Sequence, residues 1–172
     1  KNFVNISNLF YLKGQDRVIS IFKKIKGEAN LFMYYSSSNL IFEYYIKTRI
    51  FLFNLLNKKK KIKIINEKKR LNYKKVFSNI DAFIFGSRLE YNPLVMFESM
   101  SGGIPFVSFN VGIIKEIINE KFLGFVSNDK KQIINYLNNL NYNDKVQFKI
   151  HKYFERNYKW DIILKEYDKV FK

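Results

Sequence analysis

Short apolar runs alternate with amphipathic stretches along the whole chain, and that alternation restricts the fold more than any other feature. Phe3 to Ile6, Leu31 to Tyr35, Lys61 to Ile65, Ala82 to Phe85, Phe106 to Phe109 and Gly124 to Val126 each read as a strand. Helical periodicity fills the intervals at Gln15 to Ile25, Leu40 to Leu56, Tyr73 to Ser78, Pro93 to Met100 and Ile113 to Ile118, with more helix from Lys130 to the end. In the long second helix Phe42, Ile46, Ile50 and Phe53 form a stripe expected to face a sheet. Strands joined through helices need right-handed crossovers. The expected fold class is therefore α/β: a Rossmann-like, doubly wound, mostly parallel sheet of order 3-2-1-4-5-6, covered on both faces. No repeat or linker divides it, so residues 1–172 read as one domain.

That fold says where a ligand should sit. In an open doubly wound sheet it lies beyond the carboxyl ends of strands one and four, where the strand order reverses. Those ends are residues 7–14 and 86–94. The second loop reads Gly86-Ser87-Arg88-Leu89-Glu90-Tyr91-Asn92-Pro93 and leads into a helix carrying Glu98. Pro93 suits a first helical turn, where its missing N–H costs nothing. The N–H groups of Asn92, Leu94 and Val95 are then free to meet an anion such as a diphosphate, aided by the helix dipole. Glu90 and Glu98 flank that anion position, and carboxylates accept the hydrogen bonds that sugar hydroxyls donate.

These residues resemble a known family. Glu90 and Glu98 with seven residues between them, then Gly102-x-x-Pro105 and Gly112-x-x-x-Glu116, are similar to the donor site of group 1 glycosyltransferases. Lys13-Gly14-Gln15-Asp16 resembles that family's phosphate-binding lysine loop, Leu123-Gly124-Phe125-Val126 its glycine-phenylalanine strand, and Trp160 to Tyr167 its closing helix. The likeness spans nearly the whole chain in the right order. It implies a retaining enzyme of the GT-B architecture, with this chain as the domain that holds the nucleoside diphosphate sugar, such as a UDP- or GDP-sugar. It also implies that an N-terminal acceptor domain is missing from the chain. Lys13 and Glu90 become the catalytic candidates, and Lys13, Gly14, Glu90, Asn92, Leu94, Val95 and Glu98 the donor-binding set. By the same likeness Glu98 takes the ribose hydroxyls, Glu90 those of the transferred sugar, and Lys13 the diphosphate charge that grows on departure. The acceptor is expected to be a polysaccharide or glycolipid. One departure stands out: the family usually has an arginine five residues before the lysine, and here Asn8 occupies that place.

Composition narrows the alternatives. The chain has no cysteine, a single histidine (His151) and no Asp-x-Asp pair, so the site is expected to work without a metal or cofactor. The formal net charge of +16 suits phosphates or an anionic membrane surface as partner, and A+T-rich codon usage accounts for it as well. Nucleic acid is not expected, because the aromatics follow core periodicity and form no stacking platform. The reading implies a cytoplasmic protein, with the inner membrane face as a further place of attachment. The start at Lys1, without methionine and directly before an apolar run, reads as a domain cut from a longer chain. Blander roles are weighed beside these. Glu90 and Glu98 are ordinary solvated acids in such a reading, Lys13 a surface lysine, Arg88 a local ion-pair partner, His151 a surface residue and Trp160 a core anchor for the last helix. A non-catalytic homologue serving as a binding or partner subunit is the alternative function.

Overall fold

A computed structural model describes residues 1–68 and 71–170, so Phe171 and Lys172, at the end of the expected last helix, lie outside the described residues. Six strands form one sheet: β1 (Asn2–Ile6), β2 (Ala29–Tyr35), β3 (Lys60–Asn66), β4 (Ala82–Phe85), β5 (Phe106–Ser108) and β6 (Gly124–Val126). Every neighbouring pair is parallel and the order is β3-β2-β1-β4-β5-β6, as the alternation required. The pairing is uneven. β2 matches β3 from Ala29↔Lys60 to Tyr35↔Asn66, whereas β1 meets β4 only at Phe3↔Ala82 and Val4↔Phe83.

The helices are α1 (Gln15–Phe22), α2 (Leu40–Leu56), α3 (Tyr73–Phe77), α4 (Leu94–Ser101), α5 (Ile114–Ile117), α6 (Lys130–Asn139), α7 (Asp144–Asn157) and α8 (Trp160–Val170). Asparagines start several of them. Asn39, Asn72 and Asn143 each accept from the N–H three residues on, satisfying a donor that the first turn leaves open. One core layer packs α1, α2 and α6 on the sheet through Phe3, Phe22, Leu31, Ile46 and Ile133. The other packs α4 and α7 on the opposite face through Val4, Phe83, Met96, Phe106 and Ile150. Ile46, Ile50 and Phe53 are buried and Phe42 packs against them, so the α2 stripe faces the sheet as expected.

The structure corrects several local readings. The terminal helical stretch is three helices, because the asparagine-rich 138–143 segment turns and Asn143 caps a new start. Trp160 is not a core anchor: it opens α8 with 73% of its surface exposed. Tyr158 fills that role instead, its ring centroid 5.0 Å from that of Phe97 on α4. α1 ends at Phe22 rather than Ile25, and α5 is a single turn. His151 is half-exposed as expected, and its Nδ1–H donates to the Ser101 carbonyl at the end of α4 (2.7 Å).

Candidate functional site

The two switch-point loops are pressed together at a pair of glycines. Gly14 has φ +66° and ψ +32°, a left-handed conformation that a side chain resists. A Cβ on Gly14 would lie 2.0 Å from the Gly86 carbonyl oxygen, and one on Gly86 would lie 2.3 Å from that of Gly14. Side chains then lock the contact. Arg88 makes a fork to both oxygens of Asp16 (2.8 and 2.7 Å), donates to the Tyr11 carbonyl (2.8 Å) and lies over the Tyr11 ring at 4.0 Å. The Arg88 N–H and the Ser87 hydroxyl both donate to the Leu12 carbonyl (2.7 and 3.0 Å). Burial pushes the Asp16 carboxyl up, and the hydrogen bond and charge of Arg88 more than offset it, leaving the group below the ordinary aspartate value. Arg88 is thus a local ion-pair residue.

This lock holds a single 3-10 turn, Tyr11–Lys13, against the β4–α4 loop and places Lys13 beside Glu90. Their Nζ and Oε2 atoms are 2.7 Å apart, with about a third of the lysine side chain and a fifth of the glutamate side chain exposed. The two candidate catalytic residues, 77 positions apart in sequence, form one ion pair. Gly112 supports Glu90 from behind: with φ +54°, its Cβ position falls 2.1 Å from the Tyr91 carbonyl oxygen and 2.5 Å from that of Glu90.

Beyond this pair α4 begins. Pro93 is the residue before the helix, with ψ 113°, and not its first member. Its carbonyl accepts from the Met96 N–H (3.0 Å), but proline has no side-chain acceptor. Among the described residues, the N–H groups of Leu94 and Val95 have no hydrogen-bond partner. The helix start is therefore an uncapped donor pair with the dipole behind it. Glu98 lies one turn further on, and its Oε2 is buried without a partner among the described residues. A buried carboxylate oxygen left without a donor costs on the order of 1–3 kcal/mol, which a donor from outside the chain would offset.

These groups line a cleft of about 640 Å³ at the carboxyl ends of the strands. Lys13, Glu90, Asn92, Leu94, Val95 and Glu98 all face it. Gly14 does not. Its N–H donates to the Tyr11 carbonyl (3.1 Å), and its part is to let the loops approach. The far wall was not foreseen from sequence: Tyr34 lies near the carboxyl end of β2 and Ser36 just beyond it, and Leu71 and Tyr73 precede and open α3. Burial, then the nearby Glu67 carboxylate, pushes the Tyr34 phenol up. Asn8 lines the cleft too, but its Oδ1 is engaged by the Ser36 hydroxyl (3.0 Å) and the Ser37 N–H (3.2 Å). At the family's arginine position this chain braces the β2–α2 loop. Another hollow of about 530 Å³ lies near the amino ends of β5 and β6, lined by Pro105, Phe125 and Tyr136, and has no carboxylate in its lining.

Residues 1–158 match the family described as glycosyl transferases group 1. The chain belongs to that family. No curated protein matches it at a significant level. Among solved structures it is similar to TarM of S. aureus, in a complex that includes UDP, at 17% identity and a TM-score of 0.77 over 99% of this chain and 35% of that one. HepE of Anabaena, in complex with UDP and glucose, gives 15% identity and a TM-score of 0.80 over 99% and 47%. The lipopolysaccharide outer core galactosyltransferase WaaB gives 16% and 0.75 over 97% and 47%. This group 1 chain thus spans from about a third to about half of the length of these relatives. The shared fold is a Rossmann-like half of the GT-B architecture.

Proposed function

We propose that this chain is the donor-binding domain of a retaining glycosyltransferase that moves a sugar from a nucleoside diphosphate sugar to a polysaccharide or glycolipid. The observation that carries the reading is the unpartnered Glu98 oxygen buried beside the uncapped start of α4. A nucleoside diphosphate supplies what both lack. Ribose hydroxyls donate to Glu98, and phosphate oxygens accept from Leu94 and Val95. Lys13 then exchanges partners. Its ammonium turns from Glu90 to the diphosphate, and the sugar hydroxyls replace it as donors to Glu90. As the glycosidic bond breaks, negative charge grows on the departing diphosphate, where Lys13 and the helix start are already placed. The complexes of TarM with UDP and of HepE with UDP and glucose favour a uridine donor. The family likeness supports retention of configuration, and WaaB, a lipopolysaccharide galactosyltransferase, favours a surface glycan as acceptor. An acceptor-binding domain seated over the cleft would complete the enzyme.

Calorimetry with UDP and UDP-glucose, with and without EDTA, tests this reading. Binding of both, unchanged by EDTA, is expected, because the charge that neutralises the diphosphate comes from Lys13 and the helix start. Binding that vanishes in EDTA overturns the metal-free site, and no binding of any nucleotide favours the non-catalytic partner subunit.

A further inference from the structure

The face of α2 turned away from the sheet is bare and mostly apolar, interrupted by Thr48 and bordered by Lys47. Ile41 (82%), Tyr44, Phe51 (66%), Leu52, Leu55 and Leu56 (81%) are all exposed, while Ile46, Ile50 and Phe53 on the opposite side are buried. A helix that carries large apolar side chains on its outer face as well as its inner one calls for contact with something that covers the outer face. The stripe runs the length of the helix, about 25 Å, and contains no acid. The one acid of α2, Glu43, lies to its side and is paired with Lys47. Basic groups frame the stripe. Arg49 sits at its edge, donating to the Tyr45 hydroxyl (2.8 Å), and exposed Lys58 and Lys59 follow the helix end.

We propose that this outer face of α2 docks on an anionic lipid bilayer, lying in the interface with its aliphatic and aromatic side chains inserted and the flanking lysines and Arg49 among the headgroups. Charge complementarity selects the occupant. Lysines are depleted where proteins meet proteins, but each one beside an anionic membrane strengthens binding, and tyrosines favour the headgroup level. None of the described helices is long and apolar enough to cross a membrane, so the attachment lies along the surface, about 5–10 Å deep. The inference stands apart from the reading of the cleft, because α2 presents this stripe away from the sheet.

Flotation of the full chain with vesicles of phosphatidylcholine, alone or mixed equally with phosphatidylglycerol, tests it. Binding to the anionic vesicles only, weakened by added salt, is expected. Phe51→Ser with Leu55→Ser should weaken it at least about tenfold, and Lys58→Glu with Lys59→Glu by a similar factor. Phe148→Ser, on an equally exposed phenylalanine of α7, should leave it unchanged. Melting curves confirm that each variant folds. With Trp160, the sole tryptophan, replaced by phenylalanine, a Phe51→Trp reporter should shift to the blue on vesicle addition. No anionic-vesicle binding overturns the proposal, as does binding that ignores the α2 variants or falls equally with Phe148→Ser. A dimer that the α2 variants dissociate, without vesicle binding, assigns the face to a second copy and overturns it too.

Discussion

Glu98 and Glu90 carry the same charge in the same cleft but differ in what already satisfies them. Glu98 has an oxygen with no partner among the described residues, whereas Glu90 holds Lys13. The two variants should therefore separate. Glu98→Ala is expected to weaken UDP itself by about 10- to 150-fold, the worth of a charge-assisted hydrogen bond. Glu90→Ala should weaken UDP-glucose while leaving UDP unchanged or tighter, because it frees the lysine for the diphosphate. Calorimetry with the two ligands decides, and equal losses on both would show the roles are misassigned. Lys13→Met keeps the stem and removes the ammonium, and is expected to cost about tenfold or more for UDP and much less for uridine. Asn8 shows how a motif can mislead at this scale. It stands where an arginine is usual, but its oxygen is already spent on Ser36 and Ser37, a role no spacing in the sequence reveals.

Among the elements, the sequence declared the strands and the sheet order well, because buried parallel strands are short apolar runs and the helices between them fix the crossovers. α2 was legible to its ends, Leu40 and Leu56, and so was its buried stripe. Its bare outer face was not, because apolar residues on two sides of a helix read as burial and only packing tells which side is covered. The start of α4 was misplaced by one residue because proline's fixed φ suits the position before a helix as well as the first one inside it. The closeness of Gly14 and Gly86 was not legible either, since nothing local ties two glycines in distant loops. Gly14→Ala should destabilise the fold by at least about 2 kcal/mol, lowering the melting temperature by about 5 °C or more, and should abolish UDP binding. A second element-level test is the brace at the start of α2. Lys47, then Ser38 and Tyr35, hold the Glu43 carboxyl down at about 2, from an ordinary 4.5. A depressed carboxyl stabilises the fold above its unfolded value and loses that contribution as pH falls through its folded one. Glu43→Gln should thus lower the melting temperature at neutral pH, and the gap to the parent should close between about pH 4.5 and 2. A gap that persists at the acid end would place the effect in packing.

For the molecule as a whole, UDP at ~100 times its Kd should add about 2.7 kcal/mol of stability, a shift that a thermal melt resolves. The site that delivers it straddles the seam with the shortest register in the sheet, the two-residue match of β1 to β4. During synthesis that seam has a history. β1, β2 and β3 can pair as soon as residue 66 is free, but β1 keeps an open apolar edge until β4 arrives, and the cleft has no Glu98 until α4 follows. At about 5–20 residues per second the interval from Asn66 to Phe85, the end of β4, lasts on the order of 1–4 s. Through that time the nascent half-sheet has an edge on which another chain can pair. No nucleotide can shield it, because the binding site is finished only after the edge has closed.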